Sequence, residues 1–438
     1  MAIDYQSAWT FAGDALNGTG GFSDGTNLDK FGREDDEDYA QRKSISEKEY
    51  ENFVKSKVTK YNGYIYKDTP IRETKNTLIQ TIVQDADRRG NDINVFMSSF
   101  TDNAKIRGVN LVLVDMPTDL GVDLNDQIER RLTPYLVEIL PERVTSYKMD
   151  LFGNFEYVAY TDTIDLSTYE KEDVRDVTRY YDAEIWRVYE GDTIIEEGQH
   201  SLGVCPVLIF SENGKFQSTG EFYQIAGMSK KIYNLESEMK HLMRGQSFSL
   251  LTAQKTDGAA PDLEIGVHNV LYYTGTTSPD YISSDASQAA IYESKINAVK
   301  NSINAAAYDE PESSQKESGL AKEMRFQALN SSLAKYAQRL EGLERKMWAV
   351  CSKYLGMAKT DMIVVYNMDF NITDLESEIA NLDAINSIVD LPLYRSAKLK
   401  KIVKSDLPSL EGEGIDALYL EIDNNAKESE MQTETTEE

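Results

Sequence analysis

Hydrophobic positions recur at helical spacing in two long stretches between Asp285 and Met357, on either side of a short charged loop. The second stretch alternates spacings of four and three and predicts a helix from about Leu320 to Leu355, roughly 54 Å long at about 1.5 Å per residue. Pro311 ends the first helix, and Ser318 is a suitable cap for the second. Because a compact monomer has little use for such length, the apolar seams are expected to pack against neighbouring copies. The seam residues are Tyr292, Ile296, Val299, Ile303 and Ala306, then Leu329, Leu333, Tyr336, Leu340, Leu343, Met347, Val350 and Tyr354.

The first half of the chain mixes helical and β patterns. Residues 39–70 and 76–105 carry apolar residues at helical spacing, with a break at 89–91 in the second stretch. Residues 108–115 form an apolar run that predicts a buried strand. Between Pro134 and Phe210, short runs rich in β-branched and aromatic residues predict an antiparallel sheet, with a hairpin turn at Glu190-Gly-Asp192.

The second half is mainly helical. A long helix with one apolar face is predicted from about Glu221 to Leu251, followed by an insertion at 255–284 that carries one strand. Beyond the paired helices, residues 362–366 predict a strand, 374–389 a helix and 398–403 a small basic helix. The fold class is therefore α+β, without internal repeats.

Composition indicates a folded, acidic protein. The 438 residues are 41% apolar and carry a formal net charge of −28, which argues against a protein that grips nucleic acid through clustered basic residues. Acidic residues concentrate at Glu34–Asp38 and from Glu411 onward, where solubilising tails are expected. No long apolar run or secretion leader is visible, so a soluble intracellular protein is expected. Cys205 and Cys351 lie in apolar patterns and are expected to be two buried free thiols.

No arrangement of residues typical of catalysis is present. The three histidines, His200, His241 and His268, lack the spacing of a zinc hydrolase, and neither a Walker loop nor a G-x-S-x-G elbow occurs. The glycines of Gly18–Gly21 are not followed by Gly-Lys-Ser/Thr, so residues 1–32 are expected to form a flexible or surface-draped arm. We therefore expect no catalytic residues, metal or cofactor. An acid-dependent nuclease assembled from distant carboxylates stays as the least favoured alternative.

The order of these elements resembles that of the tailed-bacteriophage portal proteins, the head-to-tail connector family. The resemblance depends on the order of short motifs over most of the chain. The motifs are Asp38-Tyr-Ala-Gln-Arg42, Tyr50-Glu-Asn-Phe53, the strand at 108–115, Leu202-Gly-Val-Cys-Pro-Val207, Ser318-Gly-Leu-Ala321 and Phe370-Asn-Ile-Thr-Asp374.

The resemblance implies a ring subunit with a mixed α/β wing, long stem helices, a small α/β clip, a long wing helix and a small helical crown. The short chain leaves little room for the large crown of longer relatives. The implied divisions are a flexible arm at 1–32, the wing at 33–220, a stem helix at 221–254, the clip at 255–284, a stem helix at 285–308, a tunnel loop at 309–318, the long wing helix and strand at 319–373, the crown at 374–410 and an acidic tail at 411–438.

Two sets of channel residues follow from this assignment. The tunnel loop carries four acidic side chains and one lysine, so its contact with DNA is expected to be weak and non-specific. Polar residues off the seam of the second stem helix are candidates for the channel wall. The loop residues are Asp309, Glu310, Glu312, Ser313, Ser314, Gln315, Lys316 and Glu317, and the stem residues are Lys295, Asn297, Lys300, Asn301 and Asn304.

The resemblance also implies a role and partners. A portal forms a homo-oligomeric ring, of twelve copies in this family, at the capsid vertex of the virion after assembly in the host cytoplasm. It conducts double-stranded DNA during packaging and ejection, and it docks the terminase large subunit, the major capsid or scaffold protein and a neck or tail adaptor. The alternative is another virion component, such as a minor capsid or neck protein.

Overall fold

A computed structural model describes residues 3–117, 126, 130, 132–169, 171–246, 250–254, 270–273, 281–282, 287–309, 319–370, 392–406 and 413–434. The chain divides into two compact units, residues 1–370 and 371–438. The α-helices within the described residues are α1 (Tyr5–Asn17), α2 (Asp36–Ser46), α3 (Phe53–Ile65), α4 (Thr77–Gln84), α5 (Ile93–Arg107), α6 (Tyr223–Gln246), α7 (Ser287–Ala306), α8 (Gly319–Tyr354), α9 (Pro392–Asp406) and α10 (Glu413–Glu434).

The described strands belong to four sheets and are β1 (Ile71–Glu73), β2 (Val109–Asp115), β3 (Tyr135–Ile139), β4 (Val144–Met149), β5 (Phe155–Asp165), β6 (Val174–Tyr181), β7 (Ile185–Glu190), β8 (Thr193–Gln199), β9 (Val207–Ser211), β10 (Leu250–Gln254), β11 (Val270–Tyr273), β12 (Tyr281–Ile282) and β13 (Ile363–Val365). β4 to β8 form a five-stranded antiparallel meander, and β2 lies between β3 and β9 in a three-stranded antiparallel sheet. β1 pairs with β13, and β10 pairs with β11 in parallel and with β12 in antiparallel orientation.

β2 is the central strand of the first unit and separates two apolar cores. Val109, Leu111 and Leu113 point to the core shared with the five-stranded sheet. Val112 and Val114 point to the larger core, which contains the helices. A strand that is covered on both faces reads as a continuous apolar run, and for this reason the pattern at 108–115 predicted it correctly.

Gly108 joins α5 to β2 at a point where only glycine fits. Its φ of +81° is in the left-handed region, and a Cβ at this position would lie 2.4 Å from backbone atoms of Thr219 and Gly220. The residue therefore permits both the end of the helix and the close approach of the 219–220 backbone.

The apolar seams of α7 and α8 are buried within the subunit itself. Ile303 and Leu340 are 0% exposed, and Leu333 is 1% exposed, all in the same core as the helices of the first unit. The prediction that these seams require neighbouring copies is therefore wrong. Tyr61 and Phe210, which are far away in sequence, pack on Tyr336 of the long helix. A single-helix pattern does not reveal which surface will cover it.

The helix predicted from Glu221 to Leu251 ends at Gln246, because Leu250–Gln254 pair as a strand with β11 and β12. Other predictions for the first unit are confirmed. The long helix extends over 36 residues from Gly319 to Tyr354, close to the predicted bounds. Residues 76–105 contain two helices, α4 and α5, with the break between them, and the turn at 190–192 joins β7 to β8. The 39–70 stretch is divided into two helices, α2 and α3, because Asn52 caps a new helix.

The N-terminal segment differs from the predicted flexible arm. The side chain of Asp4 caps α1 by accepting from Ser7, and Gly18 ends the helix with a φ of +67°. Trp9 is 3% exposed, and its Nε1 donates to the backbone oxygen of Ser218 at 2.7 Å. The prediction failed because α1 is short and alanine-rich, so it gives little helical periodicity in the sequence although it packs tightly.

The C-terminal unit also differs from the prediction. The predicted basic helix at 398–403 is part of the longer α9, and most of the supposed acidic tail is α10. Ile415, Leu418 and Ile422 recur at helical spacing within the acidic run. This spacing is typical of a helix, whereas the high charge alone predicted a tail. The helix predicted at 374–389 and most of the predicted clip lie outside the described residues.

Both cysteines are free and buried, which confirms the prediction. Burial raises the pKa of each thiol to about 12, so neither is a reactive thiolate at neutral pH.

Gly342 is an exposed residue in the middle of α8, and a Cβ there would meet nothing within 4 Å. Gly342→Ala is expected to stabilise the monomeric chain by about 1 kcal/mol, because glycine is a poor helix former. Urea unfolding followed by circular dichroism measures this change. An unchanged or lower stability would contradict it and would indicate that the helix bends at this position.

Candidate functional site at the root of the 309–318 loop

The helices α6 and α7 pack side by side in antiparallel orientation. The hydroxyl of Tyr308, just after α7, bonds to Glu221 just before α6, and Tyr292 near the other end of α7 interacts with Glu238. The strands β10, β11 and β12 lie between the two helices in the sequence. The arrangement is thus a helical pair with a small sheet inserted at one end and the 309–318 loop following the other.

Burial decreases along this helical pair toward the end that carries the insertion. In α6, Ile225 is 0% exposed and Ile232 is 1% exposed, whereas Met243 is 49% exposed. In α7, Ile303 is fully buried and Ile291 is 59% exposed. The distal parts of both helices therefore extend beyond the core of the first unit.

The beginning of the loop is fixed by ionic contacts. Asp309 accepts from Lys57 Nζ at 2.7 Å and from Lys60 Nζ, and both lysines lie on α3. Lys57 Nζ also donates to Asn304 Oδ1 at 2.7 Å. Tyr308 has a φ of +61°, which is uncommon for a residue with a side chain, so these contacts hold a turn with an unfavourable backbone conformation.

A buried lysine connects this turn to the rest of the unit. Lys105 Nζ lies 3.9 Å from the ring centroid of Tyr61, and the rings of Phe222 and Tyr336 are also within 5 Å. It forms ion pairs with Glu221 at 2.5 Å and Glu212 at 3.5 Å. Three aromatic rings and two carboxylates therefore stabilise the charge, although Lys105 is only 1% exposed.

The pKa values of the two carboxylates around Lys105 are shifted in opposite directions. Burial acts to raise the pKa of Glu221, but the charge and hydrogen bond of Lys105 outweigh it, so the net pKa is lowered. Desolvation dominates at Glu212 and raises its pKa. The pKa of Tyr308 rises to about 12 through burial and the neighbouring Glu221, so its hydroxyl stays a donor at neutral pH.

Asp309 has a depressed pKa. Burial acts to raise this pKa, but the hydrogen bonds from Lys57 and Lys60 outweigh it. The pairing therefore stabilises the loop root at pH values above the unfolded carboxyl pKa of about 3.9, and its contribution is lost as the pH falls through the folded pKa.

Replacing both Lys57 and Lys60 with methionine is expected to release the loop root. Amide hydrogen exchange at residues 304–309 should become at least about tenfold faster at pH 7, since a charged hydrogen bond contributes about 1.5–3 kcal/mol. Mass spectrometry of peptides covering these residues measures the rates. The matched control is Lys55→Met, an exposed lysine on the same helix. Equal exchange in both variants would contradict the anchoring role.

The predicted stem residues do not share one exposed face. Lys295 and Asn297 are exposed, and Asn301 is partly exposed. Asn304 is 6% exposed and accepts a hydrogen bond from Lys57. The prediction that Asn304 lies on the channel wall is therefore wrong, because its side chain is buried within the subunit. Lys300 lies 5.1 Å from the ring centroid of Phe53 and 3.4 Å from Glu51, so its charge is engaged within the subunit.

Of the predicted tunnel-loop residues, only Asp309 is described, and 310–318 lie outside the described residues. The loop therefore stays a prediction, and sequence reasoning missed the residues that fix Tyr308 and Asp309 at its start: Lys57, Lys60, Lys105 and Glu221. These partners are up to 252 positions apart in the chain, and no local pattern marks such pairs.

The described residues contain no group of three His, Cys, Asp or Glu side chains arranged to hold a metal ion. Within the same part of the chain, no helix is both long enough and apolar enough to cross a membrane.

Comparisons with known proteins give only distant structural likeness. No protein-family model matches the sequence, and no curated protein matches it. A chain in the neck of an empty gene transfer agent particle is 11% identical over 86% of this chain and 98% of that chain, with a TM-score of 0.47. A chain in the virion of a native gene transfer agent particle is 11% identical over 89% and 98%, with a TM-score of 0.42.

Proposed function

We propose that this chain is the subunit of a phage portal, a homo-oligomeric ring at the capsid vertex that conducts double-stranded DNA during packaging and ejection. In this role it docks the terminase motor on one side and neck or tail proteins on the other. The resemblance in element order implies twelve copies. The function is structural and mechanical, without hydrolysis.

The observation that carries the proposal is the arrangement from α6 to α8. Two antiparallel helices extend beyond the core, a small sheet is inserted between them, and a charged loop with a fixed root leads into a helix of 36 residues. These parts correspond in order to the stem, clip, tunnel loop and wing helix that the sequence predicts. A loop whose first residue is tied to α3 has a stiff base, which suits a segment that contacts a moving polymer.

The apolar side chains left exposed on these elements favour contacts with other copies. Met243 and Ile291 lie on the extending parts of α6 and α7, and Met324 and Phe326 lie in the first turns of α8. Apolar residues grouped on elements that leave the core are typical of interaction surfaces. Head-to-tail contacts between identical copies form a ring when the rotation closes.

The charge distribution suits a channel in which DNA slides. A wall that neutralised six to ten phosphates would bind DNA strongly and with steep salt dependence. The chain carries a net charge of −28, and in the loop Asp309 is already paired with Lys57 and Lys60. The remaining loop charges are Glu310, Glu312 and Glu317 against Lys316. This excess of negative charge keeps the loop from trapping a polyanion.

Mass photometry of the purified chain tests the assembly. The proposal expects particles whose mass is a fixed multiple of 49.5 kDa, with a narrow distribution that persists on dilution. A chain that is monomeric across salt, pH and concentration would contradict it. Particles that assemble but lack an axial tunnel in electron micrographs would favour a minor capsid or neck protein instead.

The absence of hydrolytic activity is tested separately by incubating the chain with plasmid DNA and Mg²⁺ or Mn²⁺. Uncut plasmid is the expected result. Cleavage that is abolished by substitution of acidic residues would overturn the proposal in favour of a nuclease.

A further inference from the structure

The second unit contains two helices that are joined by polar contacts. Ser396 Oγ donates to Asp423 at 2.8 Å, and Lys400 contacts both Asp423 and the ring of Tyr419. The contacts run in opposite chain directions, so α9 and α10 form an antiparallel hairpin. Among the residues whose burial is described in this hairpin, 392–400, 402–403 and 414–425, only Ser396 is buried. Apolar side chains such as Leu399, Leu418 and Ile422 are partly buried.

The two helices carry opposite charge. α9 contains five lysine or arginine residues and one aspartate, whereas α10 contains seven acidic residues and one lysine. Each helix has a face that points away from the other. Each residue advances about 100° around a helix, so a residue two positions before another lies on nearly the opposite side of the helix. The residues two positions before Ser396 and Asp423 therefore point away from the contact between the two helices. These positions are Tyr394 on α9 and Glu421 on α10.

The outward faces are complementary in chemistry. On α9, Tyr394 is 41% exposed and the neighbouring Arg395 is also exposed. On α10, Glu421 is exposed on the outward face, and Leu420, which is 64% exposed, lies beside it at the edge of that face, about 100° around the helix from Tyr419. An aromatic ring beside a cation on one face therefore matches an aliphatic side chain beside an anion on the other.

We propose that the hairpin binds a second copy of itself head to tail, with the outward face of α9 in one chain packed on the outward face of α10 in the next. Both faces lie on opposite sides of one hairpin, so they cannot meet within a single chain. A symmetric contact of α9 with α9, or of α10 with α10, places like charges together and is disfavoured. Each added copy leaves one face of each kind free, which makes the contact propagate around the ring of the proposed function on which this inference rests.

Cysteine cross-linking tests this contact in the full-length chain. Tyr394→Cys and Leu420→Cys replace exposed side chains, and the two natural cysteines are buried, so a short bis-maleimide reacts at the introduced sites. A mixture of the two single variants should give a cross-linked dimer, whereas each variant alone should give little. The double variant should give a ladder of multimers. The matched control combines Tyr394→Cys with Tyr169→Cys, which replaces a fully exposed side chain.

Charge substitutions test the electrostatic part of the contact. Glu421→Lys in the Leu420→Cys chain should reduce cross-linking to the Tyr394→Cys chain severalfold, and Arg395→Glu in the latter should restore it. Failure of this rescue would contradict charge recognition between the two faces.

The outcomes separate this inference from the proposed function. Intact rings without a cross-link between positions 394 and 420 would overturn the hairpin contact and leave the portal proposal in place. Cross-linking of a single variant with itself would show a symmetric contact and would also overturn it. A chain that is monomeric by mass photometry would overturn both.

Discussion

Replacing Arg72 with methionine is expected to lower the free energy of unfolding of the monomeric chain by about 3–5 kcal/mol, the cost of leaving a buried carboxylate without its cation. Arg72 on β1 is paired with Glu344 on α8, with Nε and Nη2 donating at 2.8 and 2.6 Å, and the Glu344 side chain is 0% exposed. Tyr366 and Trp348 also donate to this carboxylate. Urea unfolding followed by tryptophan fluorescence measures the change, because Trp348 lies beside the pair.

The matched control for this prediction is Arg345→Met. Arg345 is 62% exposed and pairs with Glu341 one turn away on the same helix, and exposed pairs of this kind contribute at most about 1 kcal/mol. The double variant Arg72→Met with Glu344→Met removes both charges and should lose less stability than Arg72→Met alone. A loss below about 1 kcal/mol for Arg72→Met would contradict the view that this pair ties the long helix to the β1–β13 ribbon.

Deleting residues 310–317 is expected to leave assembly intact and to abolish DNA packaging or retention. Assembly should survive because the anchored residues Tyr308 and Asp309 stay in place, together with the buried seam of α8. Packaging should fail because the deleted residues form the proposed contact with the moving duplex. Particle mass and the amount of nuclease-protected DNA in assembled heads are the two measurements.

A length-matched variant separates the chemistry of the loop from its presence. Replacing 310–317 with glycine and serine keeps the connection but removes Glu310, Glu312, Lys316 and Glu317. If the charges matter, this variant should package DNA less efficiently than the natural chain and better than the deletion. Loss of rings in either variant would show that the loop has a structural role and that its assignment to the channel is wrong.

Local patterns in the sequence predicted the positions of helices and strands better than they predicted which surfaces pack on their apolar faces. The alternation from Leu329 to Val350 located α8 to within about a residue of its ends. The same pattern gave the wrong partner, since Tyr336 of the seam packs on Tyr61 and Phe210 of its own chain. Apolar residues at helical spacing indicate that one face of a helix is buried. They do not indicate whether the surface that covers this face belongs to the same chain.

For the site at the root of the 309–318 loop, the sequence likewise predicted a position but not the contacts. The position of the loop followed from Pro311 and the two helical patterns, whereas its anchors did not follow from any pattern. Lys57 and Lys60 are ordinary polar positions on an amphipathic helix, and only folding brings them to Asp309. The acidic run from Glu411 predicted a solvated tail, but the structure has the helix α10 there. Solvation of acidic residues does not prevent a helix when Leu418 and Ile422 recur at helical spacing.

The most direct test of the central claim is an electron micrograph class average of the purified chain viewed along its symmetry axis. The proposed function predicts a closed ring of identical subunits around a tunnel wide enough for double-stranded DNA. Single subunits, or assemblies with no open axis, would contradict it.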